Sequence, residues 1–335
     1  MYSIGVYKCG LRFAFNWGFR YLCAMKKSEF SFIGDIATMF GPLAHHGFEP
    51  IGDDCTVLDM GDDALVMTTD MLVEDVHVLR SASSAEEVGR KSLMVNLSDV
   101  AAMGARPIAT LLSIALPEAA QGQWSDGFMR GYYDASREMG VALVGGDTTA
   151  SRDRISINVV AIGRAPKQNI KRRSAAEAGD VICVTGKLGT SSKGLVDIMF
   201  GDLNTAAARH HRAAQARIAE GTWLGARPEV HAMMDISDGI ASDIIHIMEL
   251  SGVGADIELS AIPTDYDIRF ATTGGEDYEL LLTVAAESYP AVAEALLKAT
   301  GTALTAIGRT TQSGELRWLQ DGTPTEVDLK GFTHF

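Results

Sequence analysis

The chain has 335 residues, 47% hydrophobic and 21% charged, with a formal net charge of −14. That length exceeds what one hydrophobic core usually serves, so two domains are expected. An acidic surface repels phosphate backbones, which argues against a nucleic-acid partner, and no apolar run reaches the ~18 residues of a membrane helix, so no membrane partner is expected.

Residues 1–24 differ from the rest. The run from Gly10 to Arg20 is aromatic and basic, and no acid occurs before Glu29. Arginines interrupt its apolar part, so it lacks the clean core of a signal peptide. It is read as an N-terminal extension, with Met25 as the expected true start. Between Ser28 and His46, Phe32, Ile33, Ile36, Met39, Phe40 and Leu43 recur at helical spacing. Strands are expected at Cys55–Leu58 and Ala64–Thr69, joined as a hairpin by the Gly61-Asp62-Asp63 turn. Ser84–Gly104 reads as a helix opened by a capping box, Ser84 with Glu87 three residues on. A second amphipathic helix is expected over Trp124–Met139, with β-branched strands at Val141–Val144 and Ile155–Ile162.

The run Arg164–Gly179 is basic and lacks apolar periodicity, so the domain boundary is placed there, dividing residues 25–165 from 166–335. Val181–Thr185 reads as a strand and Arg209–Glu220 as a helix. Ile240–Leu250 reads as a helix stopped by Gly252 and Gly254, Tyr278–Val284 as a strand and Pro290–Thr300 as a helix. Strands and helices alternate in both halves, giving an α/β or α+β class in two domains. Cys9, Cys23, Cys55 and Cys183 form no C-x-x-C pair, so reduced thiols and a cytoplasmic location are expected.

The sequence lacks a Walker phosphate loop, a protein-kinase glycine loop, G-x-S-x-G and H-E-x-x-H. It carries instead aspartates at turns and strand ends: Asp53-Asp54, Asp70, Asp99, Asp147, and Asp235 with Asp238. Each stands beside Gly, Ser or Thr, a setting that suits hard cations with oxygen ligands. From Asp53 to Asp75 there are seven aspartates and one glutamate without a Lys or Arg. If such groups converge, the like charges demand a cation such as Mg²⁺. A single Asp at a turn more often bonds its own backbone, and Asp62-Asp63 is assigned to that ordinary role.

Taken together, Gly52-Asp53-Asp54, Thr68-Thr69-Asp70, Asn96-Leu97-Ser98-Asp99 with Ala101–Ala105, Gly145-Gly146-Asp147-Thr148-Thr149, Asp235-Ile236-Ser237-Asp238-Gly239 and Gly274–Leu280 resemble thiamine-monophosphate kinases, in that family's order. Lys330-Gly331-Phe332 fits as well. The resemblance covers Gly52 to the C-terminus and departs locally at Asp75, where the family often has Gly. It implies the two-domain fold of aminoimidazole ribonucleotide synthetase-like ATP-binding enzymes, with an N-terminal sheet domain that forms a homodimer and a C-terminal α/β domain. It also implies ATP-dependent phosphorylation of thiamine monophosphate to thiamine diphosphate. Several Mg²⁺ ions would be held by Asp54, Thr68, Thr69, Asp70, Asp99, Asp147, Asp235 and Asp238. ATP would be met by Gly146, Asp147, Arg173 and Ser237, and the acceptor by His77, Glu276 and Phe332. No general base is implied, because the acceptor phosphate is already anionic. Phe332 offers an apolar face to the thiamine rings, and Glu276 a carboxylate to the aminopyrimidine or the thiazolium. Another ATP-dependent enzyme of the same superfamily, or a non-catalytic nucleotide or divalent-cation sensor, stays open as the alternative.

Overall fold

The computed structural model describes residues 28–43 and 45–332; the reading of residues 1–24 lies outside them. Two sheets organise the chain. The first contains β1 (Thr56–Asp59), β2 (Asp63–Val73), β3 (Arg106–Leu116), β4 (Ala142–Ala150) and β5 (Ser156–Pro166), in the order β1-β2-β5-β3-β4. Only the β3–β4 pair is parallel. The second contains β6 (Val181–Thr185), β7 (Val230–Asp235), β8 (Gly254–Glu258), β9 (Leu280–Val284), β10 (Leu304–Thr311), β11 (Leu316–Gln320) and β12 (Thr323–Pro324), in the order β12-β11-β8-β10-β6-β9-β7.

Helix α2 (Ala85–Ala102) begins at Ser84, whose hydroxyl accepts the Glu87 N–H while the Glu87 carboxylate accepts the Ser84 N–H. That is the capping box read from the sequence. Thirteen of its residues are buried, so it is not a surface helix but a central one. It covers one face of the first sheet and packs against α3 (Gln123–Met139). The two helices approach through glycine: a Cβ on Gly131 would lie 2.0 Å from the Glu86 carbonyl oxygen, and one on Gly89 2.1 Å from that of Phe128. Tyr132 of α3 is buried and donates to Thr110 of β3 at 2.8 Å.

The far end of α2 reaches the second half. It packs on α6 (Ile218–Gly225) and β7, and a Cβ on Gly221 would meet the Ala101 carbonyl oxygen at 2.2 Å. Period-two alternation gives the second sheet two buried faces. On one, Ile182, Val184 and Met234 pack with Ile240, Ile244 and Ile247 of α7 (Ile240–Ser251). On the other, Cys183, Leu280 and Leu282 pack with Leu224 of α6 and with Val292 and Leu296 of α9 (Tyr289–Thr300). Gly252 ends α7 in the left-handed conformation at φ 68°.

Several elements differ from the sequence reading, which had no counterpart for β7, β8, β10, β11 and β12. The expected helix Arg209–Glu220 is two helices, α5 (Ala206–Arg212) and α6, because neighbouring arginines serve different partners: Arg212 Nε donates to Glu87 at 3.0 Å and Arg217 Nε to Glu279 at 2.7 Å. Strand β3 has no counterpart among the expected elements; it carries Pro107 next to a bulge, and proline inside a run argues against a central strand. Helix α1 (Glu29–Phe40) forms at the expected place but buries none of its residues. The remaining helices, α4 (Thr190–Met199) and α8 (Ile268–Thr273), were not foreseen.

Gly131→Ala is expected to lower unfolding free energy by about 3 kcal/mol, as overpacking against backbone does. A urea melt checks this, and an unchanged midpoint would contradict the close helix approach.

Candidate functional site

The site forms where α2 lies between the two sheets. Asp54 leads into β1, Thr68 and Asp70 share one face of β2, Asp99 sits in the last turn of α2 and Asp235 ends β7. Asp54, Asp99 and Asp235 each place a carboxylate oxygen within 4.8 Å of the other two. Thr68 donates to Asp99 at 2.5 Å, Ser98 donates to Asp235 at 2.5 Å, and Asn96 accepts the Asp70 N–H at 2.8 Å. The Asn96–Asp99 motif thus orients carboxylates from both halves.

The electrostatics follow from crowding. Burial first, and Asp54 next, push the Asp235 carboxyl up to about 8. Burial, then Asp70 and Asp235, raise Asp99 well above the carboxylate range. Burial and Asp54 raise Asp70. Arg173 answers part of this charge. Burial opposes its ionisation, but Asp54, Asp235 and Asp53 outweigh that and raise it. Its guanidinium pairs with Asp54, and its N–H donates to Asp53 at 2.7 Å. One cation is too little for the cluster: Asp54 Oδ2 and Arg173 Nε are buried without a partner. A partnerless carboxylate oxygen facing two further carboxylates fits divalent cations held by oxygen.

The turn Ser237-Asp238-Gly239 follows Asp235 and joins this cluster to the expected acceptor residues. The Ser237 carbonyl accepts the Glu276 N–H at 2.8 Å, and the Asp238 carbonyl accepts the Phe332 N–H at 3.0 Å. Gly275 permits the first contact, since a Cβ there would lie 2.2 Å from the Ser237 carbonyl oxygen. Glu276 and Tyr278 adopt left-handed φ values of 63° and 51°, a strain that non-glycine residues carry mainly at functional sites. Tyr278 is buried between the two groups: burial first, then Glu276, Asp70, Asp235 and Asp99, push its hydroxyl well up. His77 and Glu276 line one small cavity, whereas Phe332 lies half-exposed by the Asp238 turn.

Three expected residues stand apart within the chain. Thr69 points to the opposite face of β2, where Asn158 donates to its hydroxyl at 2.8 Å. Gly146 and Asp147 lie on β4, the exposed edge strand, with Asp147 in register with Ser113. A Cβ on Gly146 would lie 1.8 Å from the Leu112 carbonyl oxygen, which explains the glycine without a ligand. Asp243, in the first turn of α7, was not singled out from the sequence. It is buried, its Oδ2 has no partner, and burial, then Asp238 and Asp235, raise it well above the carboxylate range. Its one signal is its place four residues past Gly239.

In the metal-free protein the folded state holds a proton on Asp235 that the unfolded chain, near pKa ~3.9, releases. Stability is therefore present at low pH and lost as pH rises towards about 8. Divalent binding must displace that proton. The rise in Tm on adding Mg²⁺ is expected to be larger at pH 8 than at pH 6 by differential scanning fluorimetry; a larger rise at pH 6 would contradict the assignment.

The chain matches AIR synthase related protein, N-terminal domain, over residues 52–165 and AIR synthase related protein, C-terminal domain, over residues 177–319. It is 35% identical over 305 residues to thiamine-monophosphate kinase of Haemophilus influenzae, covering 85% of this chain and 91% of that one. Against the enzyme of Escherichia coli K12 it is 36% identical over 304 residues, again 85% and 91% of the two chains. Among solved structures it is similar to AaThiL complexed with AMPPCP and TMP, with a TM-score of 0.80, 30% identity and coverage of 96% of this chain and 100% of that one. By sequence and by fold, this chain belongs to the thiamine-monophosphate kinase family of AIR synthase related proteins.

Proposed function

We infer that this protein transfers the γ-phosphoryl group of ATP to thiamine monophosphate, giving thiamine diphosphate and ADP. The observation that carries this reading is the Ser237–Gly239 turn. It joins the crowded carboxylates on one side to Glu276 and Phe332 on the other through two backbone hydrogen bonds. A bare cation sensor has no reason to tie acceptor-side residues to its acidic cluster. The nucleotide complex of the AaThiL structure supports ATP as donor.

An oxygen of the acceptor phosphate attacks the γ-phosphorus, and the bond to the β–γ bridging oxygen breaks. That oxygen nucleophile is already ionised, so a strong general base is unnecessary, and transfer is direct without a phosphoenzyme. The difficulty is the meeting of two polyanions. Asp54, Thr68, Asp70, Asp99, Asp235 and Asp238 would hold Mg²⁺, which would supply positive charge to the phosphates, whereas the metal role of Thr69, on the opposite face of β2, rests on the sheet pairing described below. Arg173, already oriented by Asp54, offers a fixed guanidinium to the nucleotide, beside Ser237. His77, Glu276 and Phe332 hold the acceptor in line.

The domain division at 165/166 and a homodimer through the first sheet belong to the same reading. The face of that sheet away from α2, with its β4 edge, exposes Met71 and Val144 at 55% and 61%, more apolar surface than solvent favours. Gly146 and Asp147 lie on β4, so their nucleotide and metal roles rest on that pairing of sheets. A cytoplasmic site accords with Cys55 and Cys183, both free and buried. Among the described residues no helix is long and apolar enough to cross a membrane.

Coupled ADP release is expected with ATP, Mg²⁺ and thiamine monophosphate but not with thiamine. Asp54→Ala and Asp99→Ala should each lower kcat/KM by about 100-fold or more. Turnover with thiamine, or full activity in both variants, would overturn the reading. Sedimentation is expected to show a dimer that Val144→Arg dissociates; a wild-type monomer with full activity would refute the sheet pairing.

A further inference from the structure

Lys91 is a lysine on α2 that no role above uses. It is 4% exposed, a burial that lysine accepts only with partners. Its Nζ lies 2.8 Å and 3.0 Å from the two carboxylate oxygens of Glu276, 185 residues away in sequence, and 3.2 Å from the His77 carbonyl oxygen. It therefore ties together two of the residues assigned to the acceptor. His211 of α5 approaches the same carboxylate at 3.4 Å and contacts the Ser191 hydroxyl at 3.0 Å.

Lys91, His77, His211 and Glu276 line a cavity of about 40 Å³ together with Leu195 and Ile198. That is room for a few waters and not for a thiamine ring system. Lys91 and Glu276 form one wall of that cavity. Lys91 acts there as a strut, and both ends of the strut are constrained. Glu276 has its left-handed backbone and its N–H fixed to Ser237. Lys91 sits within the buried run of α2.

We propose that Lys91 is the positioning residue for acceptor recognition, holding Glu276 ionised and aimed so that its remaining lone pairs accept from the thiamine moiety. This rests on the kinase reading above. The other charged groups around Glu276 do not replace Lys91. Burial first, then Lys91, keep His211 down at about 4 and hence neutral. The His77 Nδ1 accepts the Val73 N–H at 3.1 Å, Arg212 is engaged by Glu87, and Asp277 is an acid that supplies no positive charge. Burial pushes the Glu276 carboxyl up; the Lys91 ammonium foremost outweighs it and holds the group below the ordinary glutamate value.

The test uses the full chain with ATP, Mg²⁺ and thiamine monophosphate. Lys91→Met is expected to raise KM for the acceptor about tenfold with KM for ATP within about twofold. It should also move the acid limb of kcat/KM for the acceptor upward by about one pH unit or more. Lys91→Arg restores part of both. Lys91→Met/Glu276→Gln, which removes both buried charges and so keeps the fold, should match Glu276→Gln alone. Independently of turnover, the ¹³C carboxyl resonance lost in Glu276→Gln should titrate at higher pH in Lys91→Met than in the wild type. An unchanged pH profile and acceptor KM in Lys91→Met, or an unchanged Glu276 titration, overturns the proposal. A wild type that ignores thiamine monophosphate but shows the Glu276 shift overturns the kinase reading alone.

Discussion

Asp54, Asp99 and Asp235 cannot all remain ionised within 4.8 Å of one another in a buried site unless positive charge joins them. The protein provides one fixed guanidinium, Arg173, and leaves Asp54 Oδ2 without any partner. The carboxylates come from the segment before β1, from helix α2 and from β7, so the site exists only when both halves are folded and docked. Divalent cations are what we propose fills it, and the phosphates of a nucleotide are the anions that such a cation layer attracts.

Helix α2 makes that docking specific. Its N-terminal end is fixed by the capping box and by Arg212 reaching Glu87 from α5. Its first turns pack on α3 through the Gly89 and Gly131 contacts, and its C-terminal end meets Gly221 of α6. Along it stand Lys91, Asn96, Ser98 and Asp99, four polar side chains that reach Glu276, the β2 backbone, Asp235 and Thr68 respectively. A helix buried this fully would be costly if its polar groups were unpaired. Each of these four has a partner in another element, so packing and site assembly are one event.

Much of the site was legible in the sequence because its parts are local. The capping box, the Asp-bearing turns and the order of motifs are contiguous, and short spacing transmits their chemistry directly. The partition into two α/β halves followed from alternating patterns around a basic stretch. What sequence could not give was long-range pairing. Lys91 reads as an ordinary solvent-facing lysine because its partner is Glu276. Asp243 reads as a first-turn helix acid because Asp235 and Asp238 close over it only in the fold. The break between α5 and α6 was hidden for the same reason: an alanine-rich basic run has helical propensity, and tertiary ion pairs of Arg212 and Arg217 override it. Thr68-Thr69-Asp70 could not reveal that its middle residue faces away until β2 was known to be a strand at that register.

We propose that divalent cations occupy the Asp54–Asp99–Asp235 cluster and meet the nucleotide there. Anomalous scattering from crystals grown with Mn²⁺ and a non-hydrolysable ATP analogue tests it directly. Manganese peaks are expected among those three carboxylates, in contact with the analogue's phosphates. Phosphates bound elsewhere, with no peak at the cluster, would contradict it.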